Sequence, residues 1–327
     1  MAALRVRRAR GMAVVLTGLV VVASVLVWLE LDTTGNRSGL PWPSGVYPAD
    51  AAPAGAQSFA AWRGRPVDVV DAWSARATWA DIVDPGWLYR RWAGQPYTMA
   101  FGVAMLPEDV PGVSLQACAA GAYNAHWRQF GQVISAYGLG SSIIRLGWEF
   151  NGNWYIWQAN DPAAWAGCWR QIVTSARLTA PHLQWDWNVV RGVQQGLKDP
   201  IQAYPGNSYV TMIGVDSYDE WPSARTGAGW KVQLKGPQGL NYWLAFARAH
   251  GKQLSVPEWG NVYSGTEAGG DDAAYVTDME HFFAANAAKI SYEANFQTGV
   301  GGSFTTGGAY GPGTVVPEAS AAYKSAF

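Results

Sequence analysis

SIIRLGWEFNG, residues 142–152, is a short apolar strand that runs out through Gly147 and Trp148 to a glutamate, Glu149. Side chains alternate along a strand, so Arg145, Gly147 and Glu149 share one face and Leu146 and Trp148 the other. If Glu149 faces the open end of a barrel, Arg145 lies beneath it inside. A buried arginine needs a carboxylate partner. Asp71, Asp186 and Asp216 each stand at or near the end of another expected strand.

On either side of this segment, short apolar runs alternate with amphipathic ones. Residues 66–70, 97–105, 142–146, 183–187, 210–215, 253–256 and 290–296 read as strands, and 45–47 is a shorter candidate before them. The clearest helix starts near Ser114, a suitable N-cap. It carries Tyr123, Trp127, Phe130, Ile134 and Tyr137 at spacings of three and four and stops at Gly138. Asp161 and Pro162 open another, with the stripe Trp165, Trp169, Ile172 and Val173. A third spans 241–250 and stops at Gly251, and a fourth runs from Asp271 and Asp272 through Phe283. Eight strand–helix alternations predict an α/β chain closed into a (β/α)₈ barrel rather than a doubly wound sheet. No glycine-rich phosphate loop follows the first strand, which argues against a nucleotide fold.

The chain begins differently. Four arginines within residues 1–11 precede an apolar run, 12–29. As a helix the run would span roughly 27 Å, close to a hydrocarbon core. One N-terminal transmembrane or signal helix is therefore expected in residues 1–31, either an uncleaved signal anchor or a cleaved signal peptide. No small-residue cleavage site follows it, which favours the anchor. Residues 32–55, rich in Thr, Gly, Ser, Pro and Ala, read as a linker. The barrel domain is then 56–327, or starts at 45 if the shorter candidate is its first strand. Either form places the domain outside the cytoplasm, membrane-anchored or secreted. There, Cys118 and Cys168, the chain's two cysteines, have the option of one disulfide; two free buried thiols are the alternative.

Charge narrows the partners. Setting aside the four N-terminal arginines leaves 19 basic against 24 acidic residues, with no cationic stripe for nucleic acid. No His or Cys cluster has zinc spacing, so no metal and no other cofactor is expected. The 19 tryptophans hint at flat apolar faces for sugar rings.

In such barrels the chemistry sits where strands end. Glu149 follows the fourth strand. Glu258 follows the seventh, in Val256-Pro257-Glu258-Trp259-Gly260, where Pro257 is expected to end the pairing. Two carboxyl groups at one mouth are what glycoside hydrolysis uses, one protonated as acid and one as nucleophile or base. Trp148, Phe150 and Trp154 would raise the pKa of Glu149 by desolvation. Trp148, Trp154, Trp157 and Trp187 are candidate sugar platforms, and Asn188 and Asp216 candidate sugar ligands, Asp216 alternatively pairing with Arg145.

RLGWEFNGNWYIW (residues 145–157) and VPEWG (256–260) resemble the two glutamate motifs of glycoside hydrolase family 26, which includes β-mannanases. WADI (79–82), YPGNSYV (204–210), IGVDSYD (213–219) and AHGKQLSVPEWG (249–260) are similar to family landmarks and follow the same order. The resemblance implies a retaining (β/α)₈ hydrolase of a β-linked polysaccharide, mannanase-like, with Glu149 as acid/base and Glu258 as nucleophile. It also implies that Tyr218 hydrogen-bonds the nucleophile; Arg145, placed inside the barrel by strand alternation, is expected to support the nucleophile as well. The mannanases usually carry His before the acid/base, where this chain has Trp148, and a tryptophan on the eighth strand, where Phe296 is the nearest aromatic. A non-hydrolytic carbohydrate-binding protein or a transglycosylase would use the same barrel and residues.

Overall fold

The computed structural model describes residues 35–297, 305–306, 310 and 314–327. The apolar run 12–29 lies outside them. No helix among the described residues is long and apolar enough to cross a membrane.

Eight parallel strands close on themselves. They are β1 (Ser44–Tyr47), β2 (Val69–Trp73), β3 (Thr98–Val103), β4 (Ile143–Leu146), β5 (Gln184–Val190), β6 (Met212–Asp219), β7 (Gln253–Ser264) and β8 (Ile290–Phe296). Each pairs with its neighbours in sequence, and β1 pairs with β8 to complete the ring. The expected (β/α)₈ barrel is thus the fold observed. β1 lies inside the stretch 32–55 expected to be linker, as does the start of α1 (Pro53–Arg63). Four residues are too short to show a period. Yet Gly45 leaves room for the main chain on either side, a Cβ there meeting Val69 O at 2.7 Å and Glu293 O at 2.9 Å.

The remaining helices are α2 (Trp79–Val83), α3 (Gly86–Trp92), α4 (Leu115–Ala119), α5 (Asn124–Ala136), α6 (Pro162–Arg177), α7 (Gly227–Lys235), α8 (Leu240–Ala249), α9 (Ala273–Ala285) and α10 (Pro317–Ala326). The helix expected from Ser114 is two pieces. Ser114 does cap α4, accepting from Ala117 N, but Gly121 at φ 87° turns the chain before α5 starts. Trp127, Phe130 and Ile134 form the buried stripe of α5 as expected. On α6, Asp161 caps the helix and Trp165, Trp169, Ile172 and Val173 are buried. Cys118 and Cys168 form a disulfide that ties α4 to α6.

Most tryptophans serve the core. Trp42, Trp92, Trp127, Trp157, Trp165, Trp169, Trp185, Trp187, Trp243 and Trp259 are fully buried. Several satisfy their N–H groups locally: Trp165 donates to Trp157 O, Trp169 to Tyr209 O and Trp259 to Glu293 Oε2. The abundance of tryptophan is thus mainly packing between barrel and helices.

β7 does not end at Pro257. It runs on to Ser264, with register shifts around the proline on both sides, and pairing resumes at Trp259. A residue without an N–H interrupts a ladder; here a bulge absorbs the interruption and re-aims Glu258.

Candidate active site

The centre of the barrel mouth is organised by Arg145, fully buried on β4. Its Nη2 donates to Glu258 Oε1 at 2.6 Å, to Asp216 Oδ2 at 3.0 Å and to Asn188 Oδ1 at 2.7 Å. Its Nη1 lies 3.5 Å from Asp71 Oδ2. The guanidinium also stands 5.0 Å from the ring centre of Trp73, a cation–π contact that holds the plane of the fork. Of the partners expected for Arg145, Asp216 and Asp71 are in place. Asp186 instead accepts from Ser255 Oγ and Tyr292 OH deeper in the barrel.

Glu258 is almost buried. Its second oxygen, Oε2, accepts from Tyr218 OH at 2.6 Å, so both oxygens are held by donors on other strands. Tyr218 is near the end of β6, and Asp216 two residues before it shares the same inward face. Asn188, near the end of β5, donates to Asp216 Oδ1 and accepts from Arg145. Asn188 and Asp216 therefore work as a buried brace for Arg145.

Glu149 reaches the same place by a turn rather than by strand alternation. β4 ends at Leu146, and both Gly147 (φ 54°) and Glu149 (φ 56°) take the left-handed conformation. A non-glycine residue there is strained, and such strain gathers at functional sites. Glu149 N donates to Asn188 O at 3.0 Å, which fixes the turn against β5. The result brings one carboxylate oxygen each from Glu149, Asp216 and Glu258 within 4.8 Å of one another.

Burial raises the pKa of Glu149 to about 8, with the charge of Glu258 adding to the rise and Arg145 and the Trp154 hydrogen bond opposing it. Trp154 Nε1 donates to Glu149 Oε2 at 3.0 Å. Asp71 and Asp216 are both pushed well above the usual carboxylate range, by desolvation first, despite the arginine between them. Arg145 lowers both, but the loss of water around the two buried carboxyl groups is the larger effect.

The aromatic candidates divide. Trp154 is half exposed (49%) at the mouth. Trp148 is nearly buried, donating from Nε1 to Tyr155 OH at 3.1 Å, with its ring 6.4 Å from that of Trp73. Trp157 is not a platform: it is fully buried under the loop and donates to Trp148 O. Trp187 is not one either. It points away from the barrel axis and packs against Tyr204, Trp243 and Phe246 beneath the helices. Both rings are covered by protein and leave no face open to a ligand.

Sequence reasoning missed Tyr47 and Trp73, which end β1 and β2. Tyr47 packs 4.6 Å from both Trp73 and Phe296, forming an aromatic wall beside Arg145. Their signal was position: each is the last residue of its strand, the place where barrels carry function. The space for Trp73 comes from Gly102 on β3, where a Cβ would sit 2.2 Å from Trp73 Nε1.

No family model matches the chain. It is 24% identical over 293 residues to Endoglucanase H of Acetivibrio thermocellus, an alignment covering 85% of this chain and 29% of that protein. The chain thus spans less than a third of this curated relative. Among solved structures it superposes on a modular endo-β-1,4-mannanase of glycoside hydrolase family 26 from Cellulomonas fimi, with a TM-score of 0.61 and 16% identity, covering 81% of this chain and 64% of that one. It also superposes on the catalytic domain of the family 26 endo-β-1,4-mannanase of Bacillus sp. JAMB-750, with a TM-score of 0.59 and 17% identity over 88% and 87% of the two chains. A fungal β-1,4-galactanase gives a TM-score of 0.58 at 13% identity, covering 85% of this chain and 98% of that one. At such identities the superpositions speak for the fold. In that fold the chain is similar to the family 26 glycoside hydrolases, the family its strand-end motifs resemble.

Proposed function

We propose that this chain is a retaining endo-β-glycosidase acting on a β-linked polysaccharide of neutral hexoses. The observation that carries this reading is the pair Glu149 and Glu258, at the ends of β4 and β7, with carboxylate oxygens within 4.8 Å. Retaining glycosidases hold their two carboxyl groups about 5–5.5 Å apart, whereas inverting ones leave about 6.5–9.5 Å for a water.

The chemistry follows from the geometry. Glu258, aimed by Arg145 and Tyr218, attacks the anomeric carbon. The proton of Glu149 passes to the leaving oxygen as the glycosidic bond breaks. A glycosyl ester of Glu258 forms, and its negative charge is gone. That removes one of the causes holding the pKa of Glu149 high, so Glu149 is more readily a base. It takes a proton from water, the water oxygen bonds to the anomeric carbon, and Glu258 is released as carboxylate. Trp154, bonded to Glu149, lies on the leaving-group side and is proposed as a sugar platform there. The mannanases, the endoglucanase and the galactanase among the similar proteins support a β-linked hexose polymer as the substrate class.

The disulfide supports an oxidising compartment. With the arginines and apolar run at residues 5–29, it supports export, the domain being tethered to the membrane or secreted.

The test is product analysis by mass spectrometry from β-mannan, β-glucan, β-galactan and β-xylan, beside Glu258→Ala, with NMR of the first-formed anomer. Cleavage with retention that vanishes in the variant is expected. An inverted first product, or cleavage that survives Glu258→Ala, would sink the mechanism.

A further inference from the structure

Outside the catalytic pair, the segment leaving β6 has an unusual build. Glu220 is half-buried and its carboxylate makes no hydrogen bond or ion pair among the described residues. Trp221 beside it is 68% exposed, the most exposed tryptophan described. Its backbone is at φ 46°, in the left-handed region, where a bulky residue is a genuine outlier.

This conformation is held from several sides. Arg191, nearly buried at the end of β5, donates from Nε to Ser217 Oγ at 3.0 Å and from Nη2 to Tyr218 O at 3.0 Å and Glu220 O at 2.6 Å. Gln233 Nε2 donates to Pro222 O at 2.8 Å, and Ala224 N to Asp219 Oδ1 at 2.6 Å. The protein therefore spends a buried arginine and a buried glutamine to fix a loop whose central indole faces water. Hydrophobic burial would pull a free indole inward. An outlier so over-determined points to function.

The other two well-exposed tryptophans sharpen the contrast. Trp87 lies on α3 at the barrel flank and is covered on one face by Arg91, 5.4 Å from its ring centre. Trp154 is at the mouth, bonded to Glu149. Trp221 is also at the mouth, and Glu220 is close enough for its charge to bear on Glu149.

We propose that Glu220 and Trp221 form a sugar subsite on the leaving-group side, taking a neutral hexosyl unit of the polysaccharide beyond the scissile bond. The indole offers a flat apolar face to the C–H face of the ring. The carboxylate, with its lone pairs free, accepts from sugar hydroxyls. A rigid aromatic beside an acceptor recognises a neutral sugar, because each element is satisfied without a counter-charge. The assignment to the leaving-group side rests on the acid/base role proposed for Glu149.

The test compares the full chain with Trp221→Ala and Glu220→Gln on the β-mannan, β-glucan, β-galactan and β-xylan panel, and on the 4-nitrophenyl β-trioside of whichever sugar is cleaved. The nitrophenol has no sugar beyond the scissile bond. Trp221→Ala should lower kcat/KM on the polysaccharide at least tenfold more than on the aryl trioside, and Glu220→Gln should do so in the same direction. Equal losses on both substrates, or none on the polymer, would overturn the subsite. Affinity electrophoresis in gels containing each polymer adds a readout without turnover. Retardation that weakens in Trp221→Ala without any cleavage would keep the subsite and defeat the hydrolase reading. Cleavage and retardation that Trp221→Ala leaves alone would do the reverse. A chain that no polymer retards and none is cleaved by counts against both.

Discussion

Replacing Glu258 by Gln should lower the pKa of the other glutamate. In the native site burial raises Glu149 to about 8, and the Glu258 charge is the next cause. Gln keeps the shape and the acceptor toward Arg145 while removing that charge. Two unit charges about 5 Å apart at an effective dielectric constant of about 20 repel by about 3 kcal/mol, or about 2 pH units of titration. Arg145 and polarisable surroundings reduce this, so Glu149 should titrate roughly 1–2 pH units lower in the variant. It should remain above an ordinary glutamate because desolvation persists. The measurement is a ¹³C NMR titration of Glu-δ-labelled protein, with the resonance assigned by its loss in Glu149→Gln. If Glu149 is the proposed acid, the native chain should also lose kcat/KM on the alkaline side near pH 8, as Glu149 surrenders its proton. A Glu149 that titrates in the ordinary carboxyl range in the native chain, or that stays near 8 in Glu258→Gln, would refute the acid/base assignment built on mutual repulsion.

Other outcomes follow from the same geometry. Tyr218→Phe removes the 2.6 Å donor to Glu258 Oε2. A hydrogen bond to a charged group contributes about 1.5–3 kcal/mol, so steady-state kinetics should show kcat/KM reduced roughly ten- to a hundredfold, with the fold unchanged by circular dichroism. Opening the Cys118–Cys168 bridge, which closes a loop across a sequence separation of 50, should cost about 4 kcal/mol in the chain-entropy model. Calorimetry should show the Tm of Cys118→Ser with Cys168→Ser lower by on the order of 5–10 °C. Glu149 is raised to about 8, Asp219, Glu220 and Glu293 to about 7, and Asp186 to about 6. These carboxyl groups hold more protons folded than unfolded between their ordinary and raised values. Stability should therefore fall as pH rises from about 5 to 8. A Tm that climbs steadily through this range would contradict the burial of these groups.

Much of this protein was legible from its sequence because its signals are local. Hydrophobic period, N-caps at Ser114 and Asp161 and stops at Gly251 depend on residues a few positions apart. The eight strands and the order of the barrel follow from them. Glu149 and Glu258 were legible for a related reason: a barrel brings every strand exit to one face, so position along the strand tells position in space. The same rule would have found Tyr47 and Trp73, which end their strands.

Tertiary structure decided what pattern cannot carry. Whether an indole meets solvent or core depends on which side of the backbone it leaves from, and on what packs there. Trp154 and Trp221 came out at the surface, while Trp157 and Trp187 are fully buried, though all are aromatic residues near strand exits. The way Arg145 serves Glu258, Asp216, Asn188 and Asp71 joins residues from β2, β4, β5, β6 and β7. No local rule specifies which of three candidate aspartates such an arginine takes. The turn that lifts Glu149 past Gly147 into the left-handed region is likewise fixed by its bond to Asn188 on the neighbouring strand. Sequence determined which elements form and in what order, because short-range pattern encodes them; only the closed barrel decided distances between charges, because these depend on chain segments brought together by closure.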